Sequence, residues 1–343
     1  VFTEPSSAGL APGSSPAHLP GTCLIVQPIH AAGLARLRAA GLAPRFAGSV
    51  AATALAREAA DCVAVVTRNA GFPAEAVAAA PRLRVIGVHG TGTDPVAVAE
   101  ATRAGIAVVN TPGANARSVA EHAIGLIFAL AKAIPQADRA VRAEDHDFRD
   151  RARLVELAGL TLGLVGFGAI GQATGRLAAA LGMRVLAYGP TRPDADFAAV
   201  GAERVTALPE LLARADMVSL HLPLTPETRG LIGRDALAGM RRGAFLINTA
   251  RGALVDEDAL AAALAAGTLA GAALDVVSGD ALAPDHPLYT EQRAILTPHI
   301  AASTEAALIR AAERVADQVV DVLAGRRPSN LVNPDAWARR RRA

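Results

Sequence analysis

Short apolar runs bounded by turn residues alternate with helical stretches along most of this chain, and few architectures accept that pattern. Runs at 23–26, 62–66, 83–88 and 106–109 read as strands buried on both faces. Helical stretches at 31–40, 74–80 and 95–104 separate them, and Gly41 and Gly105 stand where a helix stop is expected. A second series follows, with strands at 162–165, 184–188, 217–220, 244–248, 272–276 and 294–296. Its helices lie near 172–181, 208–214, 234–239, 257–266 and 304–323. The alternation predicts an α/β layer fold in two units, each built on a parallel sheet.

Between the series, Ser118 and Glu121 have capping-box spacing ahead of an apolar helix that runs to about Ile134, before Pro135. It reads as a connector between domains and an oligomer contact. The polar stretch 142–153 reads as a linker or exposed arm.

Composition narrows the function classes. The chain is 52% hydrophobic but only 3% aromatic, with alanine supplying much of the apolar content. Its most apolar long stretch, 259–277, contains Thr268 and Asp275, so a helix and a buried strand are expected there and no membrane span. A net charge of +2 gives no reason to expect nucleic acid as a partner. Cys23 and Cys62 are read as free thiols of a cytoplasmic protein, and no metal-ligand spacing is present. Residues 1–21 are expected to be a disordered extension, and 336–343 a solvated basic tail.

The strongest local motif is Gly166-Phe167-Gly168-Ala169-Ile170-Gly171, which follows one strand, opens a helix and leads to the next strand. In that context Gly166 allows a tight turn, Gly168 lets backbone approach a pyrophosphate, and Gly171 permits close helix–strand packing. The helix N-terminus attracts the phosphates. At the end of the next strand an NAD site usually carries an acid for the ribose hydroxyls. Here Gly189 occupies that position, with Arg192 close by. The turn therefore leans toward NADP(H), with NAD(H) as the alternative.

Several blocks together resemble the D-isomer-specific 2-hydroxyacid dehydrogenase family, which includes glyoxylate/hydroxypyruvate reductases and phosphoglycerate dehydrogenases. They are residues 110–122, the glycine fingerprint, 221–228, Asn248-Thr249-Ala250-Arg251-Gly252, Leu274-Asp275-Val276 and Thr297-Pro298-His299-Ile300-Ala301. The similarity runs from about Thr22 to Pro334. It implies two Rossmann-like doubly wound parallel-sheet domains. The outer, flavodoxin-like substrate domain would be discontinuous (22–117 with 299–335), and 118–298 would bind the dinucleotide. It also implies an active site in the cleft between domains and a homodimer.

By the same resemblance, Arg251 would bind the substrate carboxylate and polarise the keto group. His299 would exchange the proton. The family's third member, a glutamate, falls at Asp280, a carboxylate one methylene shorter, with Asp285 as a second-ranked substitute. Asp275 would orient the nicotinamide. Pro223, Thr249, Ala250, Ile300 and Ala301 join Gly166, Gly168, Ala169, Ile170, Gly171, Gly189 and Arg192 as candidate cofactor contacts. Gly90, Thr91 and Gly92, in a glycine loop after a strand, offer N–H groups to the substrate carboxylate. His122, His221 and His286 are read as structural or as cofactor-wall residues. The expected reaction is reduction of a small 2-keto acid, hydroxypyruvate or glyoxylate first. Phosphite oxidation on the same frame and a dinucleotide-sensing corepressor-like scaffold are the alternatives.

Overall fold

A computed structural model describes residues 19–279 and 281–341. The chain divides into two compact units. One takes the described residues up to His89, then Pro95–Thr111 and those from Ala312. The other takes Gly90–Asp94 and Pro112–Ala311. The last crossing lies inside the 19-residue helix Glu305–Leu323.

The first unit contains strands β1 (Gly21–Ile25), β2 (Leu42–Phe46), β3 (Ala64–Thr67), β4 (Val85–Val88) and β5 (Ala107–Val109). All are parallel, in the order β2-β1-β3-β4-β5, the doubly wound order of flavodoxin-like sheets. Apolar side chains cover both faces: Cys23, Ile25, Val66 and Val319 on one, Leu24, Val65, Ile86 and Phe72 on the other. Both cysteines are buried and unpaired. Burial pushes the Cys62 thiol up to about 11 and Cys23 further, so neither is a thiolate at neutral pH.

The expected solvated tail is docked where the structure describes it. Arg340 lies over the Trp337 ring. The Arg341 guanidinium donates to the carbonyls of Ala80 (2.8 Å), Pro81 (2.9 Å) and Leu83 (3.1 Å). One arginine nitrogen meeting three loop carbonyls fixes the run in place. Residues 1–18, most of the expected extension, lie outside the described residues, as do 342–343.

The second unit contains β6 (Thr161–Val165), β7 (Arg184–Tyr188), β8 (Glu203–Arg204), β9 (Met217–Leu220), β10 (Phe245–Asn248), β11 (Gly271–Leu274) and β12 (Ala294–Leu296). Their order is β12-β11-β10-β9-β6-β7-β8, all parallel. The order reverses at β6, which makes the end of β6 a topological switch point, where α/β sheets bind ligands. The fingerprint turn leaves the sheet at that point. Two apolar clusters, one per sheet face, fill the unit, around Leu220, Leu246 and Leu260 and around Leu164, Phe167 and Ile247. The stretch 259–277 forms the end of the helix Glu257–Ala265 and β11.

The capping box does not form. The helix spans Ala116–Ala131, so Ser118 lies within it, and Asn115 at its start makes no side-chain cap. Glu121 instead pairs with Arg117 at i,i+4, 2.7 Å apart. Ser118 is buried and donates its Oγ to the Ala301 carbonyl at 2.6 Å. The helix ends three residues earlier than expected, because Ala133 adopts a left-handed φ of 47°. Pro135 then sits in the first turn of the next helix, Ile134–Arg142, a position proline favours. The long helix belongs wholly to the second unit, where it packs on the fingerprint helix Ala169–Ala180. Among the described residues no single helix is long and apolar enough to cross a membrane.

Candidate active site

The fingerprint turn is built by close approaches. Gly166 has φ +100°, and its N–H donates to the Tyr188 carbonyl at 2.8 Å. A Cβ there would stand 2.5 Å from the His221 carbonyl, so no other residue fits. A Cβ on Gly171 would stand 2.3 Å from the Gly166 carbonyl oxygen. Gly168 differs: a Cβ there would meet none of the described residues within 4 Å. Its backbone faces open space at the start of a helix that begins at Ala169, not at residue 172, so Ala169 and Ile170 occupy the first turn. Thr249, just past β10, is 8% exposed, and its Oγ1 has no hydrogen-bond partner among the described residues. A buried orphan hydroxyl calls for a missing partner. Open backbone at Gly168 and the orphan at Thr249 together fit a bound dinucleotide.

His221 follows β9, and its Nε2 lies 2.9 Å from the Ser219 hydroxyl. Burial pushes its pKa down to about 4, so the ring is neutral at physiological pH. It forms wall, not charge. Pro223 lies just beyond, its carbonyl accepting from Thr228 at 2.8 Å.

At the far end of the site, Gly189 is buried after β7, and a Cβ there would stand 2.8 Å from Phe167 Cβ. Arg192, expected as a cofactor contact, is engaged with Asp196, Nε to Oδ2 at 2.7 Å.

Arg251 leaves β10 through Asn248-Thr249-Ala250. Asn248 holds that turn twice: Nδ2 donates to the Arg251 carbonyl at 2.8 Å, and Oδ1 accepts from the Ala250 N–H at 3.0 Å. The guanidinium then donates Nε and Nη2 to Asp94 (3.1 and 3.0 Å) and Nη1 to the Ala250 carbonyl (2.8 Å). It lies so close over the Gly90–Asp94 segment that a Cβ on Gly92 would be 1.6 Å from Nη2. With the side edge of the fork taken by Asp94, the end-on Nη1/Nη2 edge keeps N–H groups for a substrate carboxylate and carbonyl. Thr91 and Gly90 continue the same segment. The sequence reading did not find Asp94: it lies 157 residues from Arg251, and nothing local links the two.

His299 is exposed and holds φ at +54°, a left-handed conformation that costs a residue with a Cβ about 1–2 kcal/mol. Asp275 supplies what offsets it. It is 1% exposed and accepts from Thr297 Oγ1 (2.6 Å), Ile300 N–H (2.9 Å) and Ala301 N–H (2.9 Å). His122 approaches the same carboxylate at 3.5 Å. The His299 N–H donates to the Asp275 backbone carbonyl at 2.8 Å. Burial alone would raise the Asp275 pKa, but these hydrogen bonds, His122 and Thr297 foremost, hold it below the ordinary value. Within the unit, then, Asp275 anchors the turn carrying His299, and His122 helps it. Ile300 and Ala301 take part through their backbone.

Asp280 lies outside the described residues. Asp285 is exposed on the turn before a short 3-10 helix, Pro287–Tyr289. His286 caps that helix and meets Asp258 at 3.3 Å, a structural role. Among the described residues no cluster of His, Cys, Asp or Glu could hold a metal ion.

Residues 124–301 match the family described as D-isomer specific 2-hydroxyacid dehydrogenase, NAD binding domain. Over 271 residues the chain is 43% identical to a D-3-phosphoglycerate dehydrogenase of Methanocaldococcus jannaschii, covering 79% of this chain and 51% of that protein. Over 279 residues it is 40% identical to a glyoxylate reductase of Korarchaeum cryptofilum, covering 80% and 84%. It thus spans about half the length of the phosphoglycerate dehydrogenases it matches. Among solved structures, an NADPH-dependent glyoxylate/hydroxypyruvate reductase from Sinorhizobium meliloti, in complex with NADP and malonate, superposes with a TM-score of 0.83. Its identity is 28%, over 95% of this chain and 99% of that one.

Proposed function

Because the chain belongs to the D-isomer specific 2-hydroxyacid dehydrogenase family, we propose that it reduces a small 2-keto acid to the D-2-hydroxy acid with a nicotinamide dinucleotide. The observation that carries this reading is Arg251. Its guanidinium is locked over Gly92 with an edge directed away from Asp94, in the same unit as the fingerprint turn and His299.

The dinucleotide, when bound, supplies or accepts the hydride. The chain's residues do the rest. Arg251 binds the carboxylate and draws electron density from the keto oxygen. The Gly90-Thr91-Gly92 backbone is a second support for the carboxylate. His299 gives its proton to that oxygen as hydride reaches the carbon, and takes it back in the reverse direction. Asp280 is the proposed partner that keeps the His299 ring protonated. Ala169, Ile170, Thr249 and Ala250 would line the dinucleotide, and the helix start at Gly168 would hold its pyrophosphate.

Hydroxypyruvate and glyoxylate are the proposed substrates, a choice supported by the glyoxylate reductase likeness. Either NADP(H) or NAD(H) is accepted: Gly189 removes the usual acid, while Asp196 already holds Arg192. The active form is proposed to be a cytoplasmic homodimer. Ile134 and Val141, seven residues apart on one helix, are 53% and 71% exposed, which supports a partner for that face.

The test follows NADPH and NADH oxidation by purified protein with hydroxypyruvate and glyoxylate. Turnover is expected, and R251Q should reduce kcat about 10²–10³-fold, as loss of a charge-stabilising donor does. Turnover of phosphite and of no keto acid would replace this reading with phosphite oxidation. Dinucleotide binding without any turnover would replace it with the scaffold reading.

A further inference from the structure

Resting on the dinucleotide reading above, we infer that Asp196 is the specificity-determining residue for the adenosine ribose: it offers an oxygen to a 2′-hydroxyl and withholds Arg192 from a 2′-phosphate. The position that usually carries the ribose acid cannot carry one here. Gly189 backs onto Phe167, and Phe167 is itself held by stacking on Phe197, ring centroids 4.6 Å apart. The carboxylate comes instead from the short helix Asp194–Ala198.

Three donors converge on one oxygen of Asp196. Arg192 gives Nε at 2.7 Å and also Nη2 to Oδ2. Gln172, in the first turn of the fingerprint helix, gives Nε2 to the same Oδ2 at 3.2 Å and sits equally close to the Phe167 carbonyl. Asp196 therefore joins the turn after β7 to the turn after β6, the two segments between which a dinucleotide's adenosine end lies in this fold. Its Oδ1 accepts from no described residue, and the side chain is 24% exposed.

The two cofactors meet this arrangement differently. A ribose 2′-hydroxyl donates to Oδ1 and leaves the ion pair intact. A 2′-phosphate brings about two negative charges beside the carboxylate and must take Arg192 away from it. Gly189 sets no carboxylate of its own against a phosphate, and Asp196 opposes its entry.

The experiment is isothermal titration of the full chain with NAD+ and NADP+, on wild type, D196N and R192A. D196N keeps the side chain's size and removes its charge. It is expected to shift the ratio of the two dissociation constants at least tenfold toward NADP+. R192A, which leaves the carboxylate unopposed, is expected to shift that ratio at least tenfold toward NAD+. Should D196N not fold, D196S, which also removes the charge, decides in its place. An unchanged ratio in the folded variants overturns the inference and leaves the proposed function standing. If wild type binds neither dinucleotide, the proposed function itself fails.

Discussion

At Gly92 a Cβ would stand 1.6 Å from Arg251 Nη2 and 2.8 Å from Asp94 Oδ1, so any side chain there must push the guanidinium off its carboxylate. Displacement by about 1 Å can cost a positioned catalytic group roughly 10²-fold in rate. G92A is therefore expected to lose about that much in kcat/KM for the keto acid while its NAD+ affinity stays within twofold. Equal losses in both would show that Gly92 serves folding and not Arg251. Asp275 makes the complementary case, a side chain that cannot be changed. Its pKa in the fold lies below the ordinary 3.8, so the ionised form contributes stability that is fully present above that value. That contribution disappears as pH falls through the lowered folded pKa. Wild type should melt at steadily lower temperature below about pH 4, and the acid limb of D275N should be shallower. At neutral pH D275N turns a donor toward Thr297 or a backbone N–H, and should lose about 1–3 kcal/mol of stability.

Among the elements, the central strands were legible because a strand buried on both faces needs a run of apolar residues, as Val85–Val88 and Gly271–Leu274 have. The edges were not. β2 contains Pro44 and Arg45 and leaves most of its residues exposed, and β8 is two exposed residues long. An edge strand pairs on one side only, so its sequence carries little of the buried pattern. Candidate site residues fall into the same two classes. The fingerprint glycines, Arg251 and His299 were visible because each lies in a local block. Asp94, Gln172 and Asp196 were not, because their meaning arises only when distant segments meet. Ser118 is instructive as a misreading: the Ser-x-x-Glu spacing is real, but the helix starts two residues earlier and buries the hydroxyl against the Ala301 carbonyl. That bond makes the helix a strut for the turn of His299. S118A should leave the carbonyl unsatisfied at about 1–3 kcal/mol. Hydrogen exchange should then quicken at Ile300 and Ala301 and not in β6; uniform quickening would mean global destabilisation with no strut.

For the whole molecule, the chain's path matters more than any one contact. The two sheets have the doubly wound strand orders that the strand–helix alternation and the family resemblance implied. Which strands share a core follows from where the chain crosses, at His89, Asp94, Thr111 and Ala311. Every buried residue of the two apolar clusters in the second unit lies between Leu126 and Ile295 or packs from that span. The continuous piece 112–311 therefore contains both faces of its sheet, the fingerprint turn, Arg192 with Asp196, and the Asp275 turn. It lacks only Gly90–Asp94 from its own unit. A domain with its own core can fold alone. Residues 112–311 expressed by themselves should melt cooperatively and bind NAD+ within about tenfold of the full chain. They should not reduce a keto acid, because Arg251 would lose Asp94, the group that fixes its fork. Retained turnover would show that the Gly90–Asp94 segment is dispensable to Arg251. Failure to fold would show that the dinucleotide unit draws its stability from residues outside its own two clusters.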